Sequence, residues 1–430
     1  MVGNPPFIGS KRMRDALGDG YVDAIQEAWP EVPQATDFVM RWWHYAPLLT
    51  ARGALQRFGL ITTNSLRQAY VRRAVEPHLD GNLPLSLVFA VPDHPWVDSE
   101  DGAAVRIAMT VGEAGRKSGR LVAVVGERAE AEEGNDDLVI STEARTGRIN
   151  ADLTVGVDLT QAVPLHANAD LCSVGMKTIG AAFQVERDRA MALGLGVVPE
   201  LERHIRPYIN GRDVSQSPRN LYVIDFFGLE VDQVRARYPA AYQHLLERAK
   251  PERDLNRNAI FRERWWVIGH PRQQFRVATA GLSRYIATLE TSKHRFFVFL
   301  PIDVTPDSSL VTVADERAET LGVLSSELHT IWSLALGGRL GVGNDPRYNK
   351  SRCFETFPLP DFHFLDKFCG PIGDGTITSQ DGAVRPNPVI GEYASVRIAT
   401  LAEQLDTHRK RQQAAHPDLT LTGLYNVLDK

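Results

Sequence analysis

Along the first 125 residues the apolar positions change period several times, and each change predicts an element. Thr36-Asp37 can cap a helix in which Phe38, Trp42, Tyr45 and Leu49 recur at i, i+4, i+7 and i+11, one stripe for packing on a sheet, until Gly53 ends it. Phe58 to Thr63 is a short run of buried-strand type. Ser65 with Gln68 three residues on is a capping-box signature for a helix reaching about His78. Leu85 to Val91, Ala103 to Val111 and Leu121 to Val125 are three further strand runs. The polar loop Pro92 to Gly102 joins the first two, which predicts an antiparallel pair at a sheet edge.

The pattern then dissolves. Glu127, Glu130, Glu132, Glu133, Asp136 and Asp137 form an acidic run, read as a solvated connector over 126–165. From 166 to 362 short β-like runs (Leu221 to Ile224, Arg295 to Leu300, Ser309 to Val313) alternate with helical patterns. Pro358-Leu359-Pro360 closes that region, a glycine-rich stretch from Gly370 to Gly382 follows, and Val396 to Arg411 reads as a helix within a last segment, 363–430. The expected division is 1–125, 126–165, 166–362 and 363–430.

Composition narrows the class. With 430 residues, 43% of them hydrophobic, the chain can bury more than one core. No apolar run approaches the ~18 residues of a membrane span, and Met1 to Pro6 has neither the basic start nor the apolar stretch of a signal peptide, so the expectation is a cytoplasmic protein with no membrane partner. Three cysteines without Cys-x-x-Cys spacing suggest neither a disulfide framework nor a zinc site; no metal is expected. A net charge of −5 argues mildly against nucleic acid, but Arg248 to Arg295 holds eleven basic residues against four acidic ones, a surplus of seven.

The chemistry concentrates in Asn4-Pro5-Pro6-Phe7, which closes a very short strand. As a bare pattern it is a proline-fixed turn with a buried phenylalanine. It also suits a harder task. The exocyclic amine of adenine is a poor nucleophile because its lone pair is delocalised into the ring. The Asn4 side-chain oxygen and the Pro5 carbonyl can accept both amine hydrogens and orient the lone pair, while Pro5 and Pro6 hold the turn rigid and Phe7 stacks on the base. Such a reaction needs the base outside the duplex.

At these residues the chain resembles the gamma-class adenine-N6 DNA methyltransferases, most closely the single-chain type II restriction-modification enzymes that join a methyltransferase to a target-recognition domain. Val2 to Gly9, the helix around Arg41-Trp42-Trp43, Gly59 to Ser65 and Asp101 to Ile107 carry the likeness. So do Arg206-Pro207-Tyr208-Ile209-Asn210-Gly211-Arg212-Asp213 and Phe354 to Pro360, which look like elements of the recognition domain. The resemblance implies an α/β fold: the C-terminal half of a Rossmann-like class I methyltransferase, then an α+β target-recognition domain and a C-terminal helical segment. It implies S-adenosyl-L-methionine as methyl donor, double-stranded DNA as partner, and an aromatic from the loop before the Gly102-Ala103-Ala104 strand packing on the flipped base, for which Trp96 is the candidate. Its alternative is a partly buried loop tryptophan.

One departure matters. In that family a glycine-rich loop and an acidic residue for the ribose hydroxyls precede the Asn-Pro-Pro-Phe turn, whereas three residues precede Asn4 here. The expectation is a chain lacking the cofactor-binding part, complemented by an upstream polypeptide.

For DNA contacts, Arg262-Glu263-Arg264-Trp265-Trp266 and Arg272 to Arg276 interleave guanidinium groups with aromatics, making Arg262, Arg264, Arg272 and Arg276 candidates for the phosphates. The loop Gly338 to Tyr348 gathers Arg339, Asn344, Asp345 and Arg347, types that read guanine, adenine and cytosine edges. The alternatives are a solvated face, a tryptophan core and an ordinary glycine-rich loop. Other functions stay open: a DNA-specificity subunit without activity, protein-glutamine methylation at an Asn-Pro-Pro turn, or cytosine-N4 methylation, against which Asn rather than Ser at the first position argues.

Overall fold

The computed structural model describes residues 1–96, 105–129, 138–156, 159, 162–340, 345–362, 376–378, 384–386, 394–416 and 418–428. The chain divides into two compact units, Met1–Gln161 and Ala162–Lys430.

The first unit is a six-stranded mixed sheet in the order β1-β2-β4-β3-β5-β6, comprising β1 (Val2–Gly3), β2 (Arg57–Thr63), β3 (Leu85–Trp96), β4 (Val105–Ala114), β5 (Gly119–Ala129) and β6 (Leu138–Gly147). Helices α1 (Met13–Leu17), α2 (Asp19–Ala28) and α3 (Val39–Ala51) cross over between β1 and β2, which run parallel with Val2 beside Gly59 and Gly3 beside Leu60. A parallel pair needs such a crossover. Along β2, Phe58, Leu60 and Thr62 alternate inward, the period-2 signature of a strand covered on one face.

Helix α3 buries a different stripe from the expected one. Val39, Trp43, Ala46 and Thr50 face the core, while Trp42 and Tyr45 stand 47% and 40% exposed. Two aromatic sets one residue apart lie about 100° apart on a helix, and apolarity alone cannot choose between them. A polar contact decides: Trp43 is fully buried with its indole N–H donated to Thr110 Oγ1 on β4 at 3.0 Å, and it meets Phe58 edge to face.

Three other expectations need correction. The Ser65–Gln68 helix is instead a 3-10 turn (Asn64–Arg67) followed by the short helices α4 (Ala69–Arg72) and α5 (Glu76–Asp80), because Gln68 itself is extended. The β3/β4 pair is antiparallel as expected but interior, since β5 adds parallel to β3 and β6 antiparallel to β5. The connector at 126–165 begins with the end of β5 and holds β6, paired from Gly119 opposite Gly147 to Ala129 opposite Leu138. Residues 139–146 on this edge strand are largely solvent-facing, so no apolar face betrayed it; 130–137, with most of the acidic run, lie outside the described residues.

The second unit is built on two four-stranded sheets. One has the order β13-β9-β10-β8, from β8 (Gln184–Glu186), β9 (Ile205–Ile209), β10 (Leu221–Ile224) and β13 (Thr305–Pro306). The other has the order β12-β11-β14-β7, from β7 (Cys172–Val174), β11 (Arg284–Leu289), β12 (Val298–Pro301) and β14 (Leu310–Val313). All pairs but β13/β9 are antiparallel. A hairpin, β15 (Gly338–Leu340) and β16 (Asp345–Arg347), follows helix Glu327–Leu336. The C-terminal helices are integral to this unit. In the long helix Ala394–Ala415, the Asp406 carboxylate accepts the Phe299 N–H at 3.2 Å and Arg409 donates to the Phe297 carbonyl at 3.0 Å. Among the described residues no helix is long and apolar enough to cross a membrane.

Candidate active-site turn and nucleic-acid interface

Asn4 leaves the carboxyl end of β1, and both flanks of its turn are anchored. Upstream, Gly59 donates its N–H to the Met1 carbonyl at 2.8 Å and the Met1 amine bonds the Arg57 carbonyl. Downstream, the Ile8 N–H donates to Asp37 Oδ1 at 3.0 Å and Phe38 N–H returns to the Ile8 carbonyl at 2.9 Å. Burial pushes the Asp37 carboxyl above its ordinary range, although the Val39, Ile8 and Phe38 N–H groups favour its anion. Arg41, buried beneath, fixes the same segment through Thr36 Oγ1 at 2.9 Å. Phe7 is half-buried against the core; Asn4 is exposed. Among the described residues neither the Asn4 side chain nor the Pro5 carbonyl has a hydrogen-bond partner. Two acceptors are thus presented on a turn pinned at both ends.

The register places other polar groups at this end of the sheet. Thr63 closes β2 opposite Ile107, and Trp96 closes β3 opposite Val105. Trp96 is 37% exposed and lies three strand spacings from β1, about 14 Å sideways; no ring contact joins it to Phe7. Between them runs a polar chain that the sequence did not reveal. Asp93 Oδ1 accepts from Asn64 at 3.1 Å and from Arg106 at 2.6 Å, and Arg106 reaches Glu127 at 2.8 Å. Residues so far apart in sequence carry no spacing signal. A cavity of about 320 Å³ sits at the opposite end, by Leu85 and Arg148, and is no part of the turn.

In the second unit part of the basic run is engaged by the fold. Trp265 and Trp266 are core, Trp266 donating its indole N–H to the Leu229 carbonyl at 2.9 Å. Arg276 pairs with the buried Asp225, Arg284 with Glu403, and Arg253 is buried against the carbonyls of Thr178 and Val267. Arg272 donates to the Gly175 carbonyl at 3.1 Å. Arg276 is thus tied to a carboxylate at 2% exposure that requires its cation. Arg262 and Arg264 are exposed, the former curled onto the carbonyls of Asn256 and Arg257.

The hairpin pairs Arg339 with Pro346 and Leu340 with Asp345; Asn344 lies outside the described residues. Arg347 donates to Glu290 Oε1 at 2.7 Å, Tyr348 N–H to the Glu290 carbonyl at 2.7 Å, and Ser292 N–H to the Pro346 carbonyl at 3.2 Å. Glu290 to Lys293 thus lie beside Asp345 to Arg347. That second loop went unnoticed in the sequence, where it reads only as polar residues ending a strand.

Residues 199–361 match the family described as MmeI, target recognition domain. A stretch of 74 residues, 16% of this chain and 8% of the other, is 31% identical to DNA methyltransferase A of Bacillus subtilis (strain 168). In fold, 99% of the chain matches 50% of the chain of the type IIL restriction-modification enzyme MmeI, solved in complex with DNA, at a TM-score of 0.66 and 17% identity. The chain spans about half the length of that enzyme. Arg262 to Arg276, loop 290–293 and the hairpin all fall inside the matched family region, whereas helix Leu421–Leu428 falls outside it.

Proposed function

We propose that this chain supplies the base-holding and target-reading parts of a DNA methyltransferase that modifies adenine N6 in duplex DNA. One observation carries the reading: Asn4 and Pro5 present two unclaimed acceptors on a turn anchored at both flanks, at the carboxyl ends of parallel strands, where α/β sheets take their ligands. Both acceptors can take the hydrogens of an extruded amine and turn its lone pair outward, so catalysis here is orientation and hydrogen bonding. The likeness of 199–361 to a target recognition domain, and of a shorter stretch to a DNA methyltransferase, supports duplex DNA as substrate.

The residues present do not by themselves fit S-adenosyl-L-methionine. Asp37, Asp93 and Glu127, acids described at this end of the sheet, are engaged by Ile8, by Asn64 with Arg106, and by Arg106. On that ground the donor is proposed to be held with a second polypeptide, and no step is routed through it. Trp96 is kept as the second stacking residue at the same sheet end.

The test complements the chain with such a polypeptide and measures N6-methyladenine in duplex DNA by nucleoside mass spectrometry. Asn4→Ala is expected to lower turnover on the order of 10²-fold or more, with DNA affinity unchanged. Near-normal turnover of the variant, or N4-methylcytosine as product, would overturn the reading. Micromolar S-adenosylmethionine binding by the chain alone would overturn the assignment of the donor elsewhere.

A further inference from the structure

The motif Arg206 to Asp213 leaves one side chain without a structural task. Arg206 donates to the carbonyls of Ile302 and Asp303, and the Tyr208 hydroxyl donates to Asp307. Asn210 and Asp213 form a reciprocal capping box that opens helix Gly211–Ser215: Asn210 Oδ1 accepts the Asp213 N–H at 3.0 Å and Asp213 Oδ2 the Asn210 N–H at 2.8 Å. Burial works against the Asp213 charge, yet Arg219 and the N–H groups of Asn210 and Arg219 hold the carboxyl below its usual range. Gly211 N–H donates to Ser309 Oγ at 2.8 Å, and a Cβ at this glycine would press within 3.4 Å of Leu289 and Ser309. Only Arg212 points outward, steadied by a neutral partner, Gln216 Oε1 at 3.2 Å.

Arg212 opens onto a groove of about 560 Å³. Its other walls are Gln216, Ser217, Thr420, Thr422 and Asn426, with a glycine, and among the described residues no carboxylate lines it. The two walls come from elements about 200 residues apart in sequence: helix Gly211–Ser215 with the turn after it, and helix Leu421–Leu428 with the residue before it. The far wall continues into the loop beside the hairpin, because Asn426 Oδ1 accepts from Lys293 at 2.7 Å and from His294 at 2.8 Å. One guanidinium, two amides and three hydroxyls around an open trough, with no acid among its described lining residues, match the sugar-phosphate backbone, whose oxygens accept and whose charge asks for one cation per phosphate.

We propose that this groove seats the phosphodiester backbone of duplex DNA beside the base pairs read by the hairpin, with Arg212 on a phosphate. The inference rests on the DNA reading above and extends the interface to a helix outside the matched family region. A backbone seat adds affinity for every sequence and discriminates none.

Fluorescence anisotropy with a random-sequence duplex, over a salt series, tests it on the whole chain. Arg212→Ala and the charge-introducing Thr422→Glu should each weaken binding several-fold. Arg212→Ala should also flatten log K against log salt by about one unit, while Arg212→Lys retains the slope. Thermal unfolding of each variant should match the wild type, since both side chains are at the surface of the groove. Wild-type binding with unchanged affinity and slope in Arg212→Ala and Thr422→Glu would overturn the groove alone. A wild-type chain that binds no duplex at low salt would overturn the reading on which it rests.

Discussion

Acid should act on the support of the β15/β16 hairpin through His329. This side chain, on helix Glu327–Leu336, is 0% exposed; its Nε2 lies 2.9 Å from the Tyr348 hydroxyl and its ring meets Phe357 edge-on at 4.4 Å. Nδ1 has no partner among the described residues. Tyr348 follows Arg347 directly, so the contact ties the helix to the foot of the β15/β16 hairpin. Burial, aided by the nearby Arg295 charge, pushes the imidazole down to about 3, from an ordinary value near 6.5. A histidine depressed in this way folds neutral. Its contribution to stability is complete above about pH 6.5 and is lost as the pH falls from there toward 3, because only the unfolded chain takes up the proton. Each pH unit in that window costs about 1.4 kcal/mol, so pH 5 should remove about 2 kcal/mol.

The measurement is urea unfolding followed by tryptophan fluorescence between pH 7.5 and 5, for the wild type and His329→Gln. The variant cannot titrate at this position and lacks the fitted ring, so it starts less stable at pH 7. The wild-type advantage should then shrink by about 2 kcal/mol on reaching pH 5. His44, His78, His204 and His244, also lowered by burial, are present in both proteins and cancel in the difference. Parallel loss of stability in the two proteins would show that His329 is not held neutral and would refute the reasoning.

The remaining expectations concern arginines. Arg276→Ala strips the buried Asp225 of its cation and should cost about 3 kcal/mol, read as a lowered urea midpoint, while the salt dependence of DNA binding by the folded variant stays as in the wild type. Arg347→Ala in the complemented enzyme should relax one base pair of the methylated site by roughly 1–3 kcal/mol, seen by single-molecule sequencing; uniform loss at all sites would make it a backbone contact.

These two arginines also mark how far the sequence could be read. Where an element is covered on one face, burial prints a period: Phe58, Leu60 and Thr62 alternate along β2, and the strand was legible to within a residue. Where faces compete or vanish, it does not. Helix α3 offered two aromatic stripes, and the choice was made by Thr110, 67 residues away, which takes the Trp43 indole N–H. Strand β6 had no apolar face to show. The turn Asn4 to Phe7 was legible as a turn because its cause is local, two consecutive prolines that fix φ. The tasks of the arginines were not, because a guanidinium in sequence looks the same whether it meets solvent, a carbonyl or a buried acid. Of the eleven cations between Arg248 and Arg295, Arg253, Arg276, Arg284 and Arg295 serve the fold, the last through the carbonyls of Leu289 and Pro346. Arg212, outside that run, stands in a groove with no acid among its described lining residues. A surplus of charge along the chain therefore does not say which cations the fold has already taken: whether a carboxylate lies within reach of an arginine is a property of tertiary structure that no count of charges along the chain contains.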